Sequence, residues 1–320
     1  MASHKLNRSV IHAMTAAVAF TWMLLATANA GNWSSSERLE RARSGLAATT
    51  IGDLIYVGGG AAAGDPANAF EVFDTAKESW RPLTALPVGL ISFSMASLGD
   101  KIYISGGYSG DDPGEPRKDV WAYDTQQATW SRKSPMPFAR ASHAMVSLGG
   151  KIYVIGGAGK DAAKVLIYDP KTDTWKTGQS MSTPRRALAV ASDGKSIFVV
   201  GGIKSDGTVS GALDMFEPST GTWTSMAPMP SPRGALTAGI VAGQLHVVGG
   251  ATWKPLKTYA SHDVFSLSSR AWSKESALPS ARQGMASSVA AGRLWVFGGG
   301  SGAGVFGMFT ASDAVDVFEP

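Results

Sequence analysis

One short segment recurs along the whole of this 320-residue chain. Lys151-Ile-Tyr-Val-Ile-Gly156-Gly157 reads as a β-strand, because β-branched and aromatic residues run into a glycine pair. Equivalent pairs stand at Gly59-Gly60, Gly106-Gly107, Gly201-Gly202, Gly249-Gly250 and Gly298-Gly299. The six copies are separated by steps of 45 to 50 residues. A unit of that length cannot bury its own apolar face and has to stack on its neighbours, so the chain is expected to be a repeat architecture.

Alignment on the glycines exposes the rest of the unit. Three residues before each pair stands a large ring: Tyr56, Tyr103, Tyr153, Phe198, His246 and Trp295. Sixteen residues before it stands Arg43, Arg140, Arg185, Arg233 or Arg282, with Leu90 in the second copy. Each of these positions opens a small-residue apolar run. Turn pairs such as Gly52-Asp53 and Gly149-Gly150 separate that run from the strand before the glycines, which is hairpin chemistry. After a variable loop comes a third strand ending on an acid in five copies, Phe70–Asp74, Val120–Asp124, Val165–Asp169, Leu213–Glu217 and Val315–Glu319. The fifth copy is placed at Val264–Ser268, without a terminal acid. A turn then leads to a tryptophan, Trp80, Trp130, Trp175, Trp223 or Trp272. Four strands per unit make a propeller blade.

Glycine pair, aromatic-acid strand end, tryptophan and the Pro-Met-Pro and Pro-Arg segments together resemble the Kelch repeat, over essentially all of the chain after residue 30. The resemblance implies an all-β fold: a six-bladed Kelch β-propeller with four-stranded blades around a central channel. Each tryptophan precedes the next arginine position by ten residues, and Trp33 stands ten residues before Arg43. The N-terminal strand near 32–36 is therefore expected to complete the last blade and remove an open edge. This gives a single domain over 31–320.

Residues 1–30 read as a signal peptide: Lys5 and Arg8, an apolar run over Ala16–Leu25, and an Ala28-Asn29-Ala30 cleavage pattern. The expectation is export to a periplasm or the outside, with no membrane span after cleavage. No cysteine occurs, which rules out disulfides and thiolate metal sites. Removing the leader lowers the net charge from +4 to +2, far from a nucleic-acid binder. No nucleotide, cofactor or metal site is expected: the glycine pairs end strands without a following helix, and His143, His246 and His262 lie at separate blade positions.

In a four-stranded blade the loops after the glycines and the segments carrying the arginines share one end of the ring. That end is the candidate functional face. Its candidate binding residues are Arg43, Arg140, Arg185, Arg233 and Arg282, with Trp253, Tyr259, Phe306 and Phe309 on the loops. The arginines read either as a carboxylate-binding ring or as struts within the scaffold. The aromatics suit sugar stacking or a protein hot spot, or else plug the loop bases. Acids off the repeat, Asp65, Asp206, Asp263 and Asp313 among them, have no motif around them. The leading expectation is an exported, monomeric binding scaffold for a protein or glycan partner, an anionic one included, rather than an enzyme. N-acetylneuraminate epimerases resemble the chain in export and in six Kelch blades, which implies the alternative of a sugar-acid enzyme. Members of that family carry a long insertion between blades, whereas the loops here are compact, and no catalytic residue transfers by motif. Galactose oxidase, another Kelch-containing enzyme, needs a cysteine for its cofactor. A structural envelope protein is the third alternative.

Overall fold

The computed structural model describes residues 31–320 except Gly64 and Pro113; the expected leader at 1–30 lies outside the described residues. Six antiparallel four-stranded sheets ring a common axis, each running from strand A at the centre to strand D at the rim. The A strands are Ser44–Ile51, Ser94–Leu98, Ala144–Leu148, Ala189–Ser192, Thr237–Val241 and Ala286–Ala290. Each adjoins the next, and the sixth adjoins the first, so the ring is closed. The B strands carry the apolar stretches before the glycines, and their side chains are almost wholly buried between blades.

The expected closure is observed. Asn32–Ser35 pairs with Val315–Glu319, and Trp33 lies opposite Phe318. Every D-strand tryptophan faces a C-strand ring in the same way: Trp80 on Phe73, Trp130 on Tyr123, Trp175 on Tyr168, Trp223 on Phe216 and Trp272 on Phe265. Ring centroids are 4.8 to 5.3 Å apart across all six pairs. Each indole N–H also donates to a carbonyl just beyond the previous blade's outer strand. Trp33 follows suit, bonding Ser276 at 2.8 Å, so the closing strand is held by the same contact as the rest.

That pairing corrects the fifth blade. Its C strand is His262–Ser266, two residues earlier than the sequence placed it. The reason is the indole: Phe265 must face Trp272, and the strand's last residue precedes its tryptophan by six, as Asp74 precedes Trp80.

Blades meet at the glycine pairs. All twelve glycines have positive φ, near 60° to 70° for the first and 88° to 102° for the second. A Cβ on the first would lie 2.2 to 2.8 Å from the backbone oxygen of the next blade's arginine-position residue. Only glycine allows that approach. In five junctions the second glycine's N–H donates to the same oxygen, as from Gly157 to Arg185 at 2.9 Å.

The closing seam holds two buried histidines. His262 Nδ1 lies 3.2 Å from the Ser276 carbonyl, which only accepts, so that nitrogen carries the proton and Nε2 accepts from His246 Nδ1 at 2.9 Å. Both rings pack on Phe318, and His262 packs on Trp33. Burial pushes His246 down to about 4; burial, with His246 and then Arg233 beside it, pushes His262 down to about 3. Both folded values lie below the unfolded value of about 6.5. Stability is therefore full above about pH 6.5 and falls as pH drops toward 4, because the unfolded chain binds protons the fold refuses. Urea unfolding across that range should show a shallower decline for His246→Phe, which places blade 4's ring in the slot; an unchanged slope refutes the assignment.

Candidate functional site

The face carrying the arginines is built first by those arginines, and all five are buried. In blades 1, 4, 5 and 6 the guanidinium lies between two strands of its own blade. Arg43, Arg185, Arg233 and Arg282 each donate to the carbonyl of their own first glycine. Each also pairs with the second residue of strand C: Glu71, Asp214, Asp263 and Asp316. The Arg185 and Arg233 pairs measure 2.6 Å. Desolvation lowers the guanidiniums and raises the Glu71 and Asp316 carboxyls, and the opposite charge resists each shift. Asp263, which the sequence placed among acids off the repeat, is thus the fifth blade's strut acid. Blade 2 lacks both partners, with Leu90 and Trp121 in their places. Blade 3 keeps Arg140 opposite Leu166, and its guanidinium instead holds the carbonyls of Ala139, Lys160 and Asp161, pinning the short loop. None of the five presents a free fork to solvent.

Two residues beyond each arginine position the channel narrows to a closed backbone ring. Ser92 donates to Gly45, Ser142 to Ser92, Ala187 to Ser142, Ala235 to Ala187, Gly284 to Ala235 and Gly45 to Gly284, at 2.7 to 2.9 Å. All six residues are left-handed, with φ of 51° to 71°, although four are not glycine. Conformations of this kind persist only where surrounding structure over-determines them. Sequence reasoning missed this ring, since nothing in Ser or Ala announces positive φ.

Above the ring the mouth opens into a hollow of about 190 Å³ walled by residues of all six blades. Trp253 and Arg186 form part of its wall and also border a cleft of about 450 Å³ with Asp206, Thr208 and Lys254. Trp253 lies in a ribbon, Ala251–Trp253 with Leu256–Thr258, and its indole abuts Gly304 of the blade 6 loop. That loop makes a single 3-10 turn, Gly304–Met308. Leu256, Val305, Phe306 and Phe309 are 56% to 63% exposed, the exposed large apolar side chains among the described residues. Phe306 and Phe309 therefore stand in solvent on a loop beside the mouth, Trp253 is a half-buried wall, and Tyr259 is half-buried under Lys257.

Other chemistry is sparse. His143 Nε2 lies 2.9 Å from Ser105 Oγ, but both residues are sealed between blades 2 and 3, where no substrate reaches them. Among the described residues no group of His, Asp and Glu is placed to hold a metal, and no helix is long and apolar enough to cross a membrane.

Six four-stranded blades, glycine-pair junctions and indole-locked outer strands define a Kelch-type β-propeller. The family model described as the Attractin/LZTR1 β-propeller matches residues 54–308, and the chain belongs to that family. It is 36% identical to an F-box/kelch-repeat protein of Arabidopsis thaliana over 93 residues, 28% of this chain and 25% of that protein. It is 33% identical to human Kelch-like protein 23 over 78 residues, 24% of this chain and 14% of that protein. The chain thus spans a quarter or less of these curated relatives. Among solved structures, YjhT superposes with a TM-score of 0.74 at 21% identity, covering 88% of this chain and 96% of that one.

Removing one member of a buried ion pair strands the other, at a cost of about 3–5 kcal/mol. Asp263→Ala should lose that much in urea unfolding, and Asp263→Leu with Arg233→Met should lose clearly less than either single change. In the neck, Ala187→Gly and Ala235→Gly should each gain about 1 kcal/mol, since glycine accepts left-handed backbone without steric cost. A loss in both would show that the alanine methyls make contacts worth more than the strain.

Proposed function

We propose that this chain is an exported binding scaffold that holds a protein or glycan partner on its arginine-bearing face, next to the channel mouth of blades 5 and 6. The observation that carries the reading is the apolar crest of Leu256, Val305, Phe306 and Phe309, exposed on two adjoining loops around Trp253. Large apolar side chains grouped on a rigid platform are what partner surfaces are made of. Kelch propellers commonly serve as interaction scaffolds, which supports the same reading. Closure completes the last blade, so the sheets keep only short outer edges, which favours a monomer. The leader expected at 1–30 supports export. A sugar-acid enzyme has less behind it: four strut arginines are engaged by carboxylates and the fifth by carbonyls.

The test is selection of displayed peptides, and of printed glycans, on the purified protein. Ligands recovered this way should bind poorly to the Leu256→Ser, Phe306→Ser, Phe309→Ser variant. They should keep their affinity for Lys171→Ala, whose change lies at the opposite end of the ring. Ligands that bind the crest variant as tightly as the parent would overturn the placement. Faster anomer exchange of N-acetylneuraminate by NMR, without any selected ligand, would favour the enzyme instead.

A further inference from the structure

The face is electrically divided. Leaving aside the buried struts, its segments between residues 156 and 261 carry Lys160, Lys164, Arg186, Lys204, Lys254 and Lys257 against two carboxylates, Asp161 and Asp206. Neither acid is free: Asp161 lies 3.5 Å from Lys164, and Asp206 accepts from the backbone and hydroxyl of Thr208. The corresponding segments of blades 6, 1 and 2 carry nine carboxylates against four cations. The crest adjoins the cationic half, because Leu256 stands between Lys254 and Lys257.

Arg186 is the centre of that half. In the other blades its position holds Ser44, Ile91, Ala141, Gly234 or Gln283, so a cation there breaks the repeat. A two-residue ribbon with Ile203 and Lys204 fixes its backbone at the channel rim. Its side chain is exposed, and among the described residues its guanidinium has no carboxylate and no hydrogen-bond partner. It borders three hollows, of about 180, 450 and 190 Å³, which therefore adjoin one another from the blade 3 loop to the blade 6 loop across the mouth.

We infer that these adjoining hollows receive an extended acidic polypeptide segment with apolar side chains, its carboxylates on Arg186 and the neighbouring lysines and its apolar groups on the crest. This rests on the reading of the face as a docking surface. Charge complementarity selects acid, and the planar guanidinium fork is suited to a carboxylate. The crest selects a polypeptide over a polyanionic glycan, because Leu256 and Val305 offer aliphatic surface that only apolar side chains desolvate well.

The experiment is fluorescence anisotropy with a labelled peptide of alternating glutamate and leucine. Counterparts with glutamine or lysine in place of glutamate are measured beside it, and oligogalacturonate serves as an anionic glycan probe. The acidic peptide should bind most tightly, and more weakly as salt rises. Arg186→Ala should weaken it about tenfold. Lys171→Ala should leave it unchanged. Equal binding of the glutamine peptide, or no effect of Arg186→Ala while Phe306→Ser with Phe309→Ser abolishes binding, refutes the acidic occupant and leaves the docking surface standing. Oligogalacturonate binding through Arg186 without peptide binding replaces the polypeptide with a glycan. If no probe responds to either variant, and displayed ligands ignore the crest, both readings fall.

Discussion

The contact on which this propeller depends is the approach of one blade's glycine pair to the backbone of the next. At each junction the first glycine leaves no room for a Cβ against the neighbouring arginine-position carbonyl. In five junctions the second glycine bonds that carbonyl. The residue at the arginine position is therefore shared. In four blades its guanidinium ties strands B and C of its own blade, while its carbonyl seats the preceding blade. Distances within and between blades are fixed by one residue, which is how six imperfect copies keep a common curvature. The indole of each outer strand repeats the device at the rim.

Most of this was legible in the sequence, because junction residues recur at constant spacing and constant spacing survives loop variation. Glycine pairs, ring slots and the ten-residue step from tryptophan to arginine foretold the blades, and Trp33 foretold the closing strand. The register of blade 5 was misread because its C strand ends on Ser266 in place of an acid. The acid that mattered, Asp263, lay at the second position of the strand, where it serves the strut. The struts' partners were hidden for a related reason: the loop between arginine and acid varies in length, so no fixed separation joins Arg43 to Glu71 and Arg282 to Asp316. The neck was not legible at all. Its bonds are backbone to backbone, and four of its left-handed residues are serine or alanine, whose conformation is imposed by neighbours.

The candidate site divides along the same line. Residues obeying the repeat turned out to be buried in the scaffold, the five arginines included. Residues that break it stand at the mouth. Arg186 replaces small or neutral residues of the other blades, while Phe306 and Phe309 belong to a 3-10 loop turn found, among the described residues, in blade 6 alone. A repeat position is held by what every blade needs, whereas departure from it frees a side chain for something outside the fold.

The two ends of the ring make the contrast concrete. The opposite end also has a sizeable cleft, about 660 Å³ between blades 2 and 3, with Asp100, Lys101 and Asp124 in its wall. Its Lys101 and Asp124 are already spent on each other. Lys101 pairs with Asp124, Lys151 with Asp169 and Arg293 with Glu319, each joining the start of strand B to the end of strand C. The Asp124 and Asp169 carboxylates also accept from the N–H groups of their turns; the lysine hydrogen bonds first, and then these turn bonds, lower both carboxyls. Such groups have little left to exchange for a ligand. At the mouth, Arg186 has a solvated charge with no partner among the described residues, and the crest has apolar area facing water. Unspent interaction, more than hollow volume, is what separates the candidate face from the turn face.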